Sequence, residues 1–260
     1  AVGGFGIGTG EFAIMGLLPN VAKDLAISIP QAGHVISIYA LGVVIGAPVI
    51  ATLAARLSRR TLLLLLMVLF AVGNIASALS SSYGNLMVFR FISGLPHGAY
   101  FGVASLVAAS MAGVGQRAKA VGRVMLGLTL ATLLGSPLAT WIGQLMGWRA
   151  AFVMVGVIGA LTALLVMLWL PKDKVEEGAS PLRELGALKR KQVWLTLGIA
   201  AVGSGGLFAV FSYIAPTLIH QTGMSPASVP LVLIVFGVGM ILGNIFGSRL
   251  ADRSLMGTIV

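Results

Sequence analysis

Of the 260 residues only 9% are charged and 58% are hydrophobic, with a mean hydropathy of +1.02. A water-soluble domain carries roughly a quarter charged residues, and one core cannot bury this much apolar surface without them, so a soluble fold is excluded. The net charge of +10 raises nucleic acid as a partner, a reading that the placement of the basic residues rejects below.

A helix needs about 20 mostly apolar residues to cross the hydrocarbon layer. The sequence predicts eight such spans and an all-α membrane protein, since the runs are long and uniformly apolar where barrel strands are short and alternate. The first, 2–22, contains Gly8-Thr9-Gly10-Glu11-Phe12. Glu11 lies near its middle with no basic residue nearby in sequence, and an ionisable group at that depth costs several kcal/mol unless it is protonated, paired or hydrated. It is the candidate proton site, with a structural carboxylate in a permanent ion pair as the other reading. The glycines at 4, 6, 8 and 10 lack both a preceding strand and the G-x-G-x-x-G spacing, so they are no dinucleotide loop.

The second span, 33–55, opens with His34 and is followed by Arg56, Arg59 and Arg60; the third covers 61–79. The fourth, 84–111, carries Arg90 about one and a half turns in. A guanidinium stays charged, so Arg90 must face a cavity or a partner such as Glu11, or snorkel to the outer interface. His97 lies two turns further on the same face. It suits a proton carrier, and equally a neutral histidine bonded to a neighbouring helix.

The fifth span, 119–146, contains Gly135-Ser136-Pro137, and the sixth covers 149–170. Pro171–Gln192 is the most polar stretch and reads as a linker, with a short surface helix over 181–191. The seventh and eighth spans are 193–219 and 228–250, with His220 at the end of the seventh. His34 and His220 sit at interfaces and read as solvated. Glycines four apart, at 94, 98 and 102 and at 239, 243 and 247, predict close helix packing.

Fourteen of the seventeen basic residues fall on one side of this zigzag: Arg56, Arg59, Arg60, Arg117, Lys119, Arg123, Lys172, Lys174, Arg183, Lys189, Arg190, Lys191, Arg249 and Arg253. Lys23 and Arg149 lie on the other, and Arg90 is inside a span. Basic loops mark the cytoplasmic side, which puts the N-terminus inside and makes the charge a topology signal. Cysteine is absent, which excludes disulfides and thiolate metal sites.

A shift of 197 residues brings Pro19 onto Pro216, Ser28 onto Ser225, Tyr39 onto Phe236, Gly42 onto Gly239, Gly46 onto Gly243 and Arg56 onto Arg253. Spans one and two thus recur as seven and eight in the same orientation, a parallel repeat of six helices. The expected organisation is a six-helix bundle over 1–171, a linker over 172–192, and the start of a second bundle over 193–260. A second copy of equal length needs about a hundred further residues and four more helices, so Val260 is expected not to be the native end; a genuine eight-helix protein is the alternative.

Four pieces resemble the major facilitator superfamily, in its twelve-helix drug:proton antiporter branch and its arabinose-efflux-permease-like members. They are Thr9-Gly10-Glu11-Phe12 with Gly16-Leu17-Leu18-Pro19; residues 51–60, similar to G-x-L-a-D-R-x-G-R-R; Arg90 with Gly94-Leu95-Pro96-His97-Gly98; and Gly135-Ser136-Pro137 followed by Gly147-Trp148-Arg149-Ala150-Ala151-Phe152. The loop motif's aspartate is Ala55 here, and its glycines are Ala51 and Ser58. The second copy keeps the acid, as Asp252-Arg253. In the family that aspartate holds one conformation against basic residues and a helix end, so the resemblance leaves more of this latch to Asp252. The antiporter motif's later glycines are replaced by Ala139 and Thr140.

The resemblance implies a proton-coupled exporter of a small organic molecule, monomeric in the lipid bilayer and working by alternating access, with no cofactor or ATP. Glu11 would be the proton site, Arg90 its electrostatic partner and His97 a relay or substrate contact. Arg56, Arg59, Arg60, Asp252 and Arg253 would serve gating, and Gly135 with Pro137 would bend or closely pack the fifth helix where the halves meet. A proton-independent facilitator or importer on the same fold is the alternative. An intramembrane enzyme lacks an acid or metal constellation, and a scaffold has no need of a buried proton site.

Overall fold

The computed structural model describes residues 1–53, 57–113, 116–171 and 189–253. Every regular element among them is helical. Seven helices or continuous helical segments are long and apolar enough to cross a membrane, and a bent pair at the start makes eight. The single-helix spans are Ile29–Leu53 (second), Arg59–Ala78 (third), Tyr83–Met111 (fourth), Trp148–Trp169 (sixth), Lys191–Ser212 (seventh) and Val229–Arg253 (eighth). The expected linker and its surface helix fall almost wholly outside the described residues.

Helix starts follow local chemistry. Ser28 and Gln31 form a reciprocal capping box, the Ser28 amide donating to Gln31 Oε1 at 2.9 Å and the Gln31 amide to Ser28 Oγ at 3.3 Å. Ser58 and Ser82 cap the third and fourth spans in the simpler way, through the amides of Thr61 and Asn85. Gly147, at φ +92°, makes the one-residue turn between the fifth and sixth spans.

The first span is not the straight helix expected over 2–22. Val2–Phe12 passes into a 3-10 turn, Ala13–Gly16, and then into Leu18–Asp24, bent by 67°. Pro19 has no amide to donate and its ring opposes the carbonyl of Met15, so the helix tightens and turns before it. Its repeat partner Pro216 follows a similar break, at Tyr213. The fifth span also deviates: Ala131–Gly135 is a π-helical turn that joins Arg117–Leu130 to Ser136–Met146, directly before Pro137.

The surface is that of a lipid-facing bundle. Leu65, Val68 and Val72 on the third span and Val157, Leu161 and Leu164 on the sixth are exposed, an apolar area far beyond what a soluble monomer tolerates. Inside, glycines let backbones meet. A Cβ on Gly46 of the second span would lie 2.6 Å from Leu95 Cα of the fourth, and one on Gly73 of the third 2.9 Å from Ser93 Cα.

The predicted glycine rows are only partly used. Gly94 and Gly98 face the second span, whereas Gly102, Gly239 and Gly243 face open space. The eighth span approaches the fifth through Gly237, whose added Cβ would lie 2.7 Å from Leu133 Cα. Two residues along a helix rotate the direction by about 200°, so Gly239 points away from that contact.

Candidate functional site

The break at Ala13–Gly16 sets the geometry of the cavity, because it leaves Glu11 and Phe12 at the end of the first helical segment with their side chains beside the fourth, seventh and eighth spans. A cavity of about 450 Å³ opens there. Its polar wall is Glu11, His97, Thr129, Thr132 and Ser204, and its aromatic wall is Phe12, Phe208, Phe211 and Phe236. Phe211 and Phe236 stack at 4.4 Å between centroids, and Phe12 meets Phe211 edge-on at 5.7 Å. Both copies of the internal repeat contribute.

Glu11 is half-buried on this wall, close enough to Arg90 for their charges to act on each other; no ion pair joins them among the described residues. Arg90 is fully buried and does not snorkel. Among the described residues none of its three guanidinium nitrogens has a hydrogen-bond acceptor. Its described neighbours are ring faces instead, Tyr39 at 4.2 Å and Phe152 at 5.2 Å. A buried cation without an acceptor is costly, and the quadrupoles of two rings offset part of that cost.

Tyr39, at 2% exposure, joins the two fourth-span residues. Its ring lies under Arg90, and its hydroxyl is 3.0 Å from His97 Nδ1. The structure thus places Glu11, Arg90 and His97 in one neighbourhood and adds a member that sequence reasoning missed. An uncharged tyrosine in an apolar span reads as packing; the one signal was its register with Phe236, which lines the same cavity.

Gly135 and Pro137 are buried in the fifth span. A Cβ on Gly135 would lie 3.1 Å from Thr9 Cβ, so this glycine lets the first and fifth spans touch two residues from Glu11. Of the expected gating residues, Arg56 lies outside the described residues, and Asp252 and Arg253 end the last helix. Arg59 opens the third span, and Arg60 Nη2 donates to the Met167 carbonyl at 2.5 Å, placing a cation on the last turn of the sixth.

A second polar cluster sits at the opposite ends of the spans. Asp24 accepts from Arg149 and, at 3.0 Å, from Trp148 Nε1; Arg149 also donates to the Ser80 carbonyl at 2.9 Å and stacks on Trp148 at 4.3 Å. The ends of the first, third and sixth spans are thereby tied. The Arg149 and then the Trp148 hydrogen bond hold the Asp24 carboxyl below its ordinary value.

The sequence profile of the Major Facilitator Superfamily matches residues 1–260. The chain is 42% identical over 259 residues to the inner membrane transport protein YdhP of Escherichia coli K12, covering 100% of this chain and 67% of that protein. It is 32% identical over 251 residues to a probable sugar efflux transporter of Mannheimia succiniciproducens, covering 96% of this chain and 63% of the relative. Among solved structures, a bacterial homologue of the human lysosomal transporter Spinster, inward-facing and unoccupied, superposes with a TM-score of 0.73 at 21% identity over 97% of this chain and 60% of its own. The chain therefore spans about two thirds of the length of these proteins.

Proposed function

The chain belongs to the major facilitator superfamily of membrane transporters, and from that premise we propose that it works in proton-coupled export of a small organic molecule by alternating access. It is a multi-pass membrane protein and no enzyme; the inner membrane, with the N-terminus cytoplasmic, is the proposed setting, in keeping with the name of YdhP and with fourteen basic residues on one side. The proposed division is a six-helix bundle over 1–171, a linker over 172–192 and a second bundle beginning at 193.

The observation that carries the reading is Glu11. It is a carboxyl inside a span, at the wall of a cavity bounded by both repeats, within the field of a buried arginine. Such a group can take a proton from one side and give it up on the other when the cavity changes access. In this scheme Arg90 stabilises the deprotonated state and the aromatic wall holds the substrate. The name of the Mannheimia relative supports the outward direction.

The test is export of sugars and toxic compounds from cells carrying the protein, with and without a proton gradient, for the wild type and Glu11→Gln. Gradient-driven export that falls to background in the variant is the expected result. Export that survives both changes would make the protein a proton-independent facilitator.

A further inference from the structure

We propose that Tyr39 is a positioning residue that holds His97 as the neutral Nε2–H tautomer, so that the cavity wall offers a fixed hydrogen-bond donor alongside the Glu11 acceptor. The tautomer stands on geometry alone; what the donor serves rests on the transport reading.

Tyr39 is buried, so its hydroxyl proton needs an acceptor. Among the described contacts the one group at hydrogen-bond distance is His97 Nδ1, at 3.0 Å. A hydroxyl that donates there requires Nδ1 to be bare, and a neutral imidazole then carries its proton on Nε2. The opposite arrangement, with Nδ1–H donating to the phenol oxygen, leaves the hydroxyl proton with no described partner.

Arg90 points the same way. Its guanidinium lies over the Tyr39 ring, and a phenol that donates its hydroxyl proton has the more electron-rich ring, which strengthens a cation on its face. A phenol that accepts from the histidine has the poorer one. The charged groups around the pair are Glu11 from the first span and Arg90 from the fourth; Phe101 beside His97, at 5.4 Å, and Phe152 beside Arg90 add only rings. A protonated His97 would set a second cation on the same phenol that already carries Arg90.

The consequence for the cavity is specific. With Nδ1 committed to Tyr39, the nitrogen left to serve the wall that His97 lines is Nε2, as a donor. With Phe12, Phe208, Phe211 and Phe236 around it, the site suits a largely apolar or aromatic molecule that presents a carbonyl, ether or hydroxyl oxygen to that donor.

The experiment is solid-state NMR of the full protein in lipid, labelled with nitrogen-15 histidine, the His97 signals being identified by their loss in His97→Gln. A bare Nδ1 and protonated Nε2 at neutral pH are expected, with the tautomer mixed or reversed in Tyr39→Phe, which keeps the ring under Arg90. Export kinetics supply the second readout. Tyr39→Phe and His97→Gln should each raise KM about two- to tenfold and displace the pH profile alike, and the double variant should be no worse than the worse single one. A protonated Nδ1 in the wild type, a His97 spectrum unmoved by Tyr39→Phe, or additive losses would overturn the proposal. Export indifferent to Glu11→Gln would instead sink the proton-coupled reading and leave the tautomer result standing.

Discussion

Two carboxylates on the first span sit in opposite surroundings, and the difference sets what each can do. Asp24, near the water, has its charge fixed by Arg149 and Trp148. Glu11, inside the membrane, faces a cavity and has no such partner among the described residues. Because the folded-state carboxyl of Asp24 is held below its ordinary value, its contribution to stability is present above the ordinary carboxylate range and is lost as pH falls through the depressed value. Asp24→Asn should therefore lower the melting temperature of the purified protein at neutral pH and change it little in strong acid. The loss should be small, about 1 kcal/mol or less, since the pair is open to solvent. A loss that persists in acid would mean that the amide is a packing defect. Glu11, Arg90 and His97 were legible because an ionisable group inside an apolar run stands out by itself. Asp24 was not, since an acid at a span end looks solvated until the residues across the bundle, Arg149 and Ser80, are in place.

At the scale of helices, contact between the second and fourth spans rests on glycine. Gly46 touches the Leu95 backbone, which has no rotamer to yield, while Gly102, two turns beyond Gly94, has nothing within 4 Å. Gly46→Ala should destabilise the protein by about 1–3 kcal/mol, the usual cost of overpacking. Gly102→Ala should be neutral or slightly stabilising, because alanine is the better helix former by roughly 0.5–1 kcal/mol. Thermal melts in detergent decide it; equal effects would mean that the second and fourth spans do not meet as described. Number, order and ends of the spans were legible to within a few residues, because the hydrophobic run that lipid demands is long and ends at polar residues. The bend before Pro19 and the π turn before Pro137 were not, since hydropathy averages over the backbone breaks that open the cavity. The glycine rows were legible as spacing only; which side of a helix meets a neighbour is decided by the neighbour.

The two repeats touch at one end of the molecule. Gln144 Nε2, at the end of the fifth span, donates to the Pro226 carbonyl before the eighth at 2.9 Å, and a Cβ on Gly33 of the second span would lie 2.9 Å from Tyr213 Cζ at the break of the seventh. At the other end, Lys191–Gly206 of the seventh span is exposed apart from the half-buried Val193. Among the described residues the cavity beside Glu11 is thus covered on the side of Lys23 and Arg149. If transport works by rocking of the repeats, the Gln144–Pro226 contact must break once in every cycle. These 260 residues hold no cysteine, so within them Gln144→Cys with Pro226→Cys gives a single pair for a short cleavable thiol cross-linker. Linking the pair should stop export, cleaving the link should restore it, and each single variant should remain active under the same reagent. A linked protein that still exported would show that these ends need not part, and rocking of one repeat against the other would have to be abandoned even with Glu11 kept as the proton site.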